Sequence, residues 1–339
     1  MVKLKDISKE CGVSISTVSR VLSGDRTRKI KESTEKLVIQ TAQEMGYFAE
    51  KKQKIQCNEK EIKIVSIFLA DHDNVLNPFF SEIFVGIKEQ INLLSEYHKI
   101  NYRVLSLYDA DFESELIKFK PDIAILLGRV KKSVLSFVSE HVPNLVHAGV
   151  NSIKVVDEVL CEAKDGMREA VRYLASLGYT RIGYVGPVKD EGIQNEHRYI
   201  GYLNGLNEVG FSFDSDLVND STLDANSGFN ATKSICSRSD VDALVCANDT
   251  VAFGAIKYIN ENKLDIAVTG FNNEEISNFS SPTLTTFDVP KKELGNLAVV
   301  CALERLKNPR DINIKISVPY KLIERESTKK KKKSWLNKK

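Results

Sequence analysis

Apolar residues recur along this chain in two rhythms. Near the start they fall three and four apart, the spacing of one helical face. Leu4, Ile7 and Cys11 form such a stripe. Gly12 ends it, since glycine takes up the left-handed turn conformation without steric penalty. Val13 anchors the turn, and Ser14 is a good N-cap for a second helix. That helix buries Val18, Val21 and Leu22, and it leaves Ile15, Ser16, Thr17, Ser19 and Arg20 outward or at its leading end. A third helix is expected over 32–45, with Leu37, Val38, Thr41, Ala42 and Met45 inward and Gly46 as its stop. From residue 61 the rhythm changes. Apolar runs at 62–69, 102–107, 123–127, 145–150, 182–185, 243–245 and 266–269 suit buried strands. Helical segments separate most of them, at 80–97, 132–140, 164–177, 198–209, 227–235, 251–262 and 291–306. Strands alternating with helices predict doubly wound parallel sheets. The count exceeds one comfortable sheet. Two lobes are therefore expected, with a ligand between them at the carboxyl ends of the strands.

Charge sharpens this division. The 339 residues carry a formal net charge of only +2. Residues 1–60 hold 13 Lys and Arg against 8 Asp and Glu, and residues 329–339 hold 7 Lys and no acid. The stretch between them holds 28 basic and 38 acidic residues. A basic head suits nucleic acid, while an acidic body is repelled by phosphates. The basic tail reads as a solvated end or as added phosphate attraction, and it lacks the heptads of a coiled coil. No apolar leader follows Met1 and no run nears the ~18 apolar residues of a membrane span, so a cytoplasmic, non-membrane protein is expected.

Catalytic motifs are missing. Cys11, Cys57, Cys161, Cys236, Cys246 and Cys301 include no C-x-x-C pair and read as free thiols. His72, His98, His141, His147 and His197 form no H-E-x-x-H. Neither a nucleophile elbow nor a phosphate loop occurs. No cofactor, metal site or catalytic residue is expected.

Two short helices around a glycine turn, the second bearing small polar residues and an arginine, make a helix-turn-helix reader. Its leading residues meet base edges in the major groove, and Arg20 can reach a guanine or a phosphate. The string from Gly12 to Gly24, G-V-S-x-x-T-V-S-R-V-L-S-G, resembles the lactose/galactose repressor (LacI/GalR) family. The resemblance runs on to Thr328. It implies that Ile15 and Ser16 discriminate operators, and that Ser14, Thr17, Ser19 and Arg20 complete the DNA contacts. It also implies a hinge over 48–60, with Ile55 nearest the family's minor-groove wedge. The family's Pro-Asn start is replaced there by Ala49-Glu50. A charged tether touching phosphates through Lys51, Lys52 and Lys54 is the alternative.

For the body the resemblance implies a two-lobed type I periplasmic-binding-protein fold, with three crossings between lobes. The domains are then 1–47, 48–60, 61–328 and the tail 329–339. The N-lobe takes about 61–160 and 289–320, and the C-lobe about 161–288 and 321–328. Asn77, Phe79 and Phe80 match the family's N-P-F-F cleft segment, though Phe80 equally suits a helix core. Arg198 matches R-x-x-G-F/Y and offers a donor fork to hydroxyls or a carboxylate, with a surface salt bridge as the alternative. Asn248 follows as a ligand for hydroxyls, with Asp249 expected to cap the next helix. Asn272 stands where many relatives carry Asp, with Phe271 as core. No aromatic lid occurs in 221–224. Asparagine-rich contacts favour an uncharged, galactoside-like sugar over a purine.

The resulting expectation is a homodimeric, ligand-responsive repressor on a pseudo-palindromic operator. Its partners would be operator DNA, a small sugar and a second copy. Rivals are a ligand-independent architectural DNA-binding protein, a regulator with a nucleoside or phosphosugar corepressor, and an enzyme built on the α/β body.

Overall fold

A computed structural model of the chain describes residues 2–23, 30–45, 61–68, 78–128, 131–150, 152–189 and 196–329. The head holds α1 (Leu4–Cys11), α2 (Ile15–Ser23) and α3 (Glu32–Glu44). Gly12 closes α1 at φ 64°, and its N–H donates to the Ser8 carbonyl. Ser14 Oγ accepts from the Thr17 N–H at 3.2 Å and so opens α2. Ile7, Val18, Val38 and Ala42 are buried together, with Leu4, Cys11, Val13, Val21, Leu22 and Met45 around them. Leu37 departs from expectation. It is 47% exposed, because Val38 and Ala42 take the inner stripe and Leu37 lies about 100° round the helix from Val38.

The body begins with β1 (Ile62–Phe68), α4 (Pro78–Leu94), β2 (Ile100–Ser106), α5 (Phe112–Phe119) and β3 (Ile123–Leu127). Then come α6 (Lys132–His141), β4 (Asn144–Gly149), β5 (Asp157–Leu160) and α7 (Ala163–Ser176). They are followed by β6 (Ile182–Gly186), α8 (His197–Glu208), β7 (Val218–Asp220) and α9 (Ala225–Arg238). The chain continues through β8 (Ala243–Cys246), α10 (Asp249–Glu261), β9 (Ala267–Thr269) and β10 (Thr286–Asp288). It ends on α11 (Lys291–Lys307), β11 (Lys315–Ser317) and β12 (Lys321–Ile323).

Two sheets result. One runs β11-β5-β4-β3-β1-β2, and the other β7-β6-β8-β9. Ile64 pairs with Ile123, and Ile123 with Asn144, all in parallel. The second sheet is parallel throughout. β10 and β12 pair antiparallel, and bridges from Thr269 to Thr285 and Asn272 to Asp288 join them to the β9 side. The chain thus passes from one sheet to the other after β5, after β10 and after β11. Each sheet has its own apolar core, one around Ile67, Leu116, Leu126 and Val138, the other around Val185, Ile235, Leu244 and Val268.

Several elements were not anticipated. β5 reads Asp-Glu-Val-Leu, yet every residue of it is buried. Its acids survive burial because each is bonded. Glu158 accepts from Ser152 Oγ at 2.6 Å and Lys154 N at 2.9 Å, and Asp157 from Arg305 Nη1 at 3.0 Å. Strands β7, β10, β11 and β12 have three residues each and, unlike the equally short β9, carry polar or charged residues and no apolar run to mark them.

One close approach shapes the region of the cleft. A Cβ on Gly86 of α4 would lie 2.0 Å from the Lys292 carbonyl oxygen, and one on Gly295 of α11 2.1 Å from that of Ile83. Only bare backbone lets α4 and α11 meet so closely. Glu82 and Lys291 consequently stand 3.5 Å apart.

Candidate functional site

In the head, Ser14, Ile15, Ser16 and Ser19 are exposed and Thr17 and Arg20 half-buried, all around the start and outer face of α2. Ile15 is 46% exposed, an unusual place for a β-branched apolar side chain. Ser14 Oγ also lies 2.8 Å from both Ser16 Oγ and Thr17 Oγ1. These hydroxyls brace one another at the helix tip, and the small side chains leave it open to close approach. Ile55, the hinge 48–60 and the tail from 330 on lie outside the described residues. So does Asn77.

In the body, three candidates follow neighbouring strands at their carboxyl ends: Arg198 after β6, Asn248 after β8 and Asn272 after β9. The Asn248 and Asn272 loops are joined directly, since the Asp249 N–H donates to the Phe271 carbonyl at 3.1 Å.

The cap expected of Asp249 is supplied by Asn248 instead. Asn248 is the cap of α10, its Oδ1 accepting from Val251 N at 2.8 Å while its Nδ2 donates to the Leu223 carbonyl at 3.3 Å. Both ends of the Asn248 amide are therefore engaged inside the protein. Asp249 is fully buried. Its carboxylate accepts from Glu274 N at 2.7 Å, Ser277 Oγ at 3.0 Å and Thr286 Oγ1. Burial raises its pKa, and these three bonds and the Lys291 ammonium work against the rise. Asp249 thus ties the loop after β9 to β10.

Asn272 sits in that loop at φ 117°, a conformation few L residues adopt. Its N–H donates to the Phe287 carbonyl at 3.0 Å, and its carbonyl accepts from Lys291 Nζ at 2.8 Å. Its side-chain Oδ1 is buried with no partner among the described residues. Phe271 is fully buried against Phe287, ring centroids 5.9 Å apart, and is core.

Arg198 does not lie in a surface salt bridge. It is 5% exposed, and its Nη1 donates at 3.0 Å to the fully buried Glu196. Its Nε is buried with no partner among the described residues. Phe79 is 5% exposed at the start of α4 and meets Phe80 edge to face at 5.2 Å, while Phe80 is half-buried.

Three side chains here escaped the sequence pattern. Glu196, Glu274 and Lys291 are buried charges in segments that read as ordinary polar loops or helix starts. Only the acid just before α8 carried a signal, that of a helix cap. Glu274 accepts from Thr250 Oγ1 at 3.2 Å, and burial, with the Asp249 charge, pushes its carboxyl up to about 7. Burial also pushes the Cys161 thiol up to about 12 and Cys301 to about 11, so neither is a thiolate at neutral pH. His147 is buried, bonded through Nε2 to the Gly128 carbonyl at 3.0 Å, with its pKa lowered by burial.

Residues 3–50 match the family of bacterial regulatory proteins of the lacI type, and residues 171–328 match the periplasmic binding protein-like domain. The HTH-type transcriptional regulator RegA of Clostridium saccharobutylicum is 27% identical over 96% of this chain and 98% of its own. A transcriptional regulator CelR–cellobiose complex superposes with a TM-score of 0.71 at 20% identity, covering 97% of this chain and all of that one. The lac repressor dimer bound to operator and the anti-inducer ONPF gives 0.66 at 21% identity, covering 96% and 98%. With its helix-turn-helix head and its pair of parallel sheets, the chain belongs to the LacI/GalR family of DNA-binding transcriptional regulators.

Proposed function

We propose that this protein is a homodimeric repressor whose hold on a pseudo-palindromic operator is set by a small uncharged sugar, galactoside-like or otherwise. The sugar lies at the carboxyl ends of β6 and β9. What supports this reading is a pair of orphaned atoms. Arg198 Nε is a buried donor and Asn272 Oδ1 a buried acceptor, and neither has a partner among the described residues. Leaving such atoms unbonded costs about 1–3 kcal/mol each, and a hydroxyl group satisfies either one. Phe79 and Phe80 supply an apolar face from the other lobe. The similar CelR was solved with cellobiose, a neutral sugar.

Control of DNA requires that the sugar bind two lobe arrangements unequally. The three passes between the sheets are where such a change would bend. Lys291 links the α4–α11 side to the Asn272 carbonyl and would feel it directly. Arg198→Ala and Asn272→Ala should leave operator binding within about twofold and weaken the sugar response on the order of tenfold or more. Operator binding by fluorescence anisotropy, with and without galactose, ribose or cellobiose, reads both. Unchanged dose-response curves in both variants would remove these residues from the site. If no sugar shifts the unfolding temperature or the anisotropy, a ligand-independent DNA-binding protein becomes the better reading.

For the head, we assign base or phosphate contact to Arg20, with Ile15 and Ser16 facing base edges. Arg20→Ala should lower operator affinity by about 1–3 kcal/mol while sugar binding stays near normal. Equal operator affinity of variant and parent would exclude that contact.

A further inference from the structure

We propose that Glu196 makes the effector site selective for uncharged ligands by neutralising Arg198 from within the protein. This rests on the reading that Arg198 faces the effector. Among the described residues Glu196 serves Arg198 and the start of α8 at once. Its Oε2 caps α8, accepting from the N–H groups of Arg198 at 2.6 Å and Tyr199 at 3.4 Å. Its Oε1 accepts from the Arg198 guanidinium at 3.0 Å, with the two side chains 0% and 6% exposed. A phosphate or carboxylate brought to this guanidinium would meet a charge already compensated. It would also meet a second carboxylate about one guanidinium width away, and lose its hydration for little return. A neutral hydroxyl has no such penalty. It needs only the open Nε–H of Arg198, which is buried and has no partner among the described residues.

The other buried cation of this region is treated the same way. Lys291 is 4% exposed, its Nζ donating to the Asn272 carbonyl at 2.8 Å and facing Glu82 at 3.5 Å. Both cations are thus matched by protein acceptors. What the two orphaned atoms present is one donor and one acceptor without net charge, the signature of hydroxyl recognition rather than of anion recognition. The ligand class is the neutral sugars, to the exclusion of sugar phosphates and sugar acids.

The test uses the full-length protein and Glu196→Gln, which keeps an oxygen for the helix cap but removes the charge. Inorganic phosphate and ribose 5-phosphate are the anionic probes, and ribose, galactose and cellobiose the neutral ones. Unfolding temperature and tryptophan-independent calorimetric titration are read at constant ionic strength. Phosphate should bind E196Q at least about tenfold more tightly than the parent, because the variant leaves the guanidinium charge unmatched. The parent should bind ribose 5-phosphate no more tightly than ribose. No gain for phosphate in a folded E196Q overturns the proposal. So does a parent that prefers ribose 5-phosphate to ribose, a comparison that holds even if the variant fails to fold. A parent that ignores every neutral sugar counts against the sugar reading itself, while the phosphate comparison between parent and variant still decides the role of Glu196.

Discussion

Replacing Asp157 by Ala should destabilise the body by about 3–5 kcal/mol, the usual loss when one partner of a buried ion pair is removed. Asp157 is fully buried on β5 and is the hub of four contacts. It accepts from Arg305 Nη1 at 3.0 Å, from Arg310 Nη2 and from the Ile314 N–H at 2.9 Å, and Cys301 Sγ lies 3.9 Å away. Arg305 comes from the end of α11, and Ile314 leads directly into β11. One carboxylate therefore binds the returning chain to the edge of the six-stranded sheet. The alanine variant leaves two guanidinium groups, 17% and 16% exposed, without their shared anion. Arg310 keeps Glu304, so Arg305 bears most of the loss. For a body of this size each kcal/mol moves the unfolding temperature by roughly 2–4 °C, so calorimetry should show a drop on the order of 10 °C. A drop below about 2 °C would mean that the arginines find other partners and that Asp157 does not hold β11 in place.

Glu274→Gln should stabilise the protein at neutral pH and remove part of its pH dependence. In the folded chain this carboxyl is pushed up to about 7, first by burial and then by the Asp249 charge. In the unfolded chain it titrates near 4.5. Between these values the folded state holds a proton that the unfolded state has released. Stability from this group is then full below about pH 4.5, falls as pH rises through about 7, and stays low above that. The difference amounts to no more than about 3 kcal/mol. Gln does not titrate, and it keeps an oxygen for the Thr250 hydroxyl, which bonds Glu274 at 3.2 Å. Urea unfolding of parent and variant at pH 5 and pH 8 measures this. The variant's stability relative to the parent should be greater at pH 8 by about 1–3 kcal/mol. A difference independent of pH would show that Glu274 carries no shifted proton.

The head was legible nearly residue by residue. Its helices are held by contacts within one short stretch, and Gly12, Ser14, Val18 and Val38 do there what their side chains do anywhere. The strands of the body were legible where they lie in apolar runs, from β3, which is buried along its whole length, to the short β8 and β9. β5 was missed because its acids are tolerable only with partners the pattern does not show: Asp157 with Arg305 and Arg310, some 150 residues further on, and Glu158 with Ser152 Oγ and Lys154 N in the preceding turn. In the candidate site the sequence placed Arg198, Asn248 and Asn272 at the ends of neighbouring strands. What it could not read is that Asn248 caps α10 and that Arg198 bonds the buried Glu196.

By itself, then, the order of residues determined the two rhythms, the glycine turn of the head, the alternating body and the residue types near its strand ends. These follow from local backbone preference and from the periodicity of burial. Only the tertiary structure decided which polar groups are used up and which are left over. Asn248 became a cap while Asp249, which looked like the cap, became a buried tie to Ser277 and Thr286. Arg198 came to lie against Glu196 with one N–H unclaimed, and Asn272 was left with one oxygen unclaimed. The physical reason is that a buried polar atom must find its partner wherever the fold brings one, whether two residues away, as for Arg198, or 28 and 37, as for Asp249.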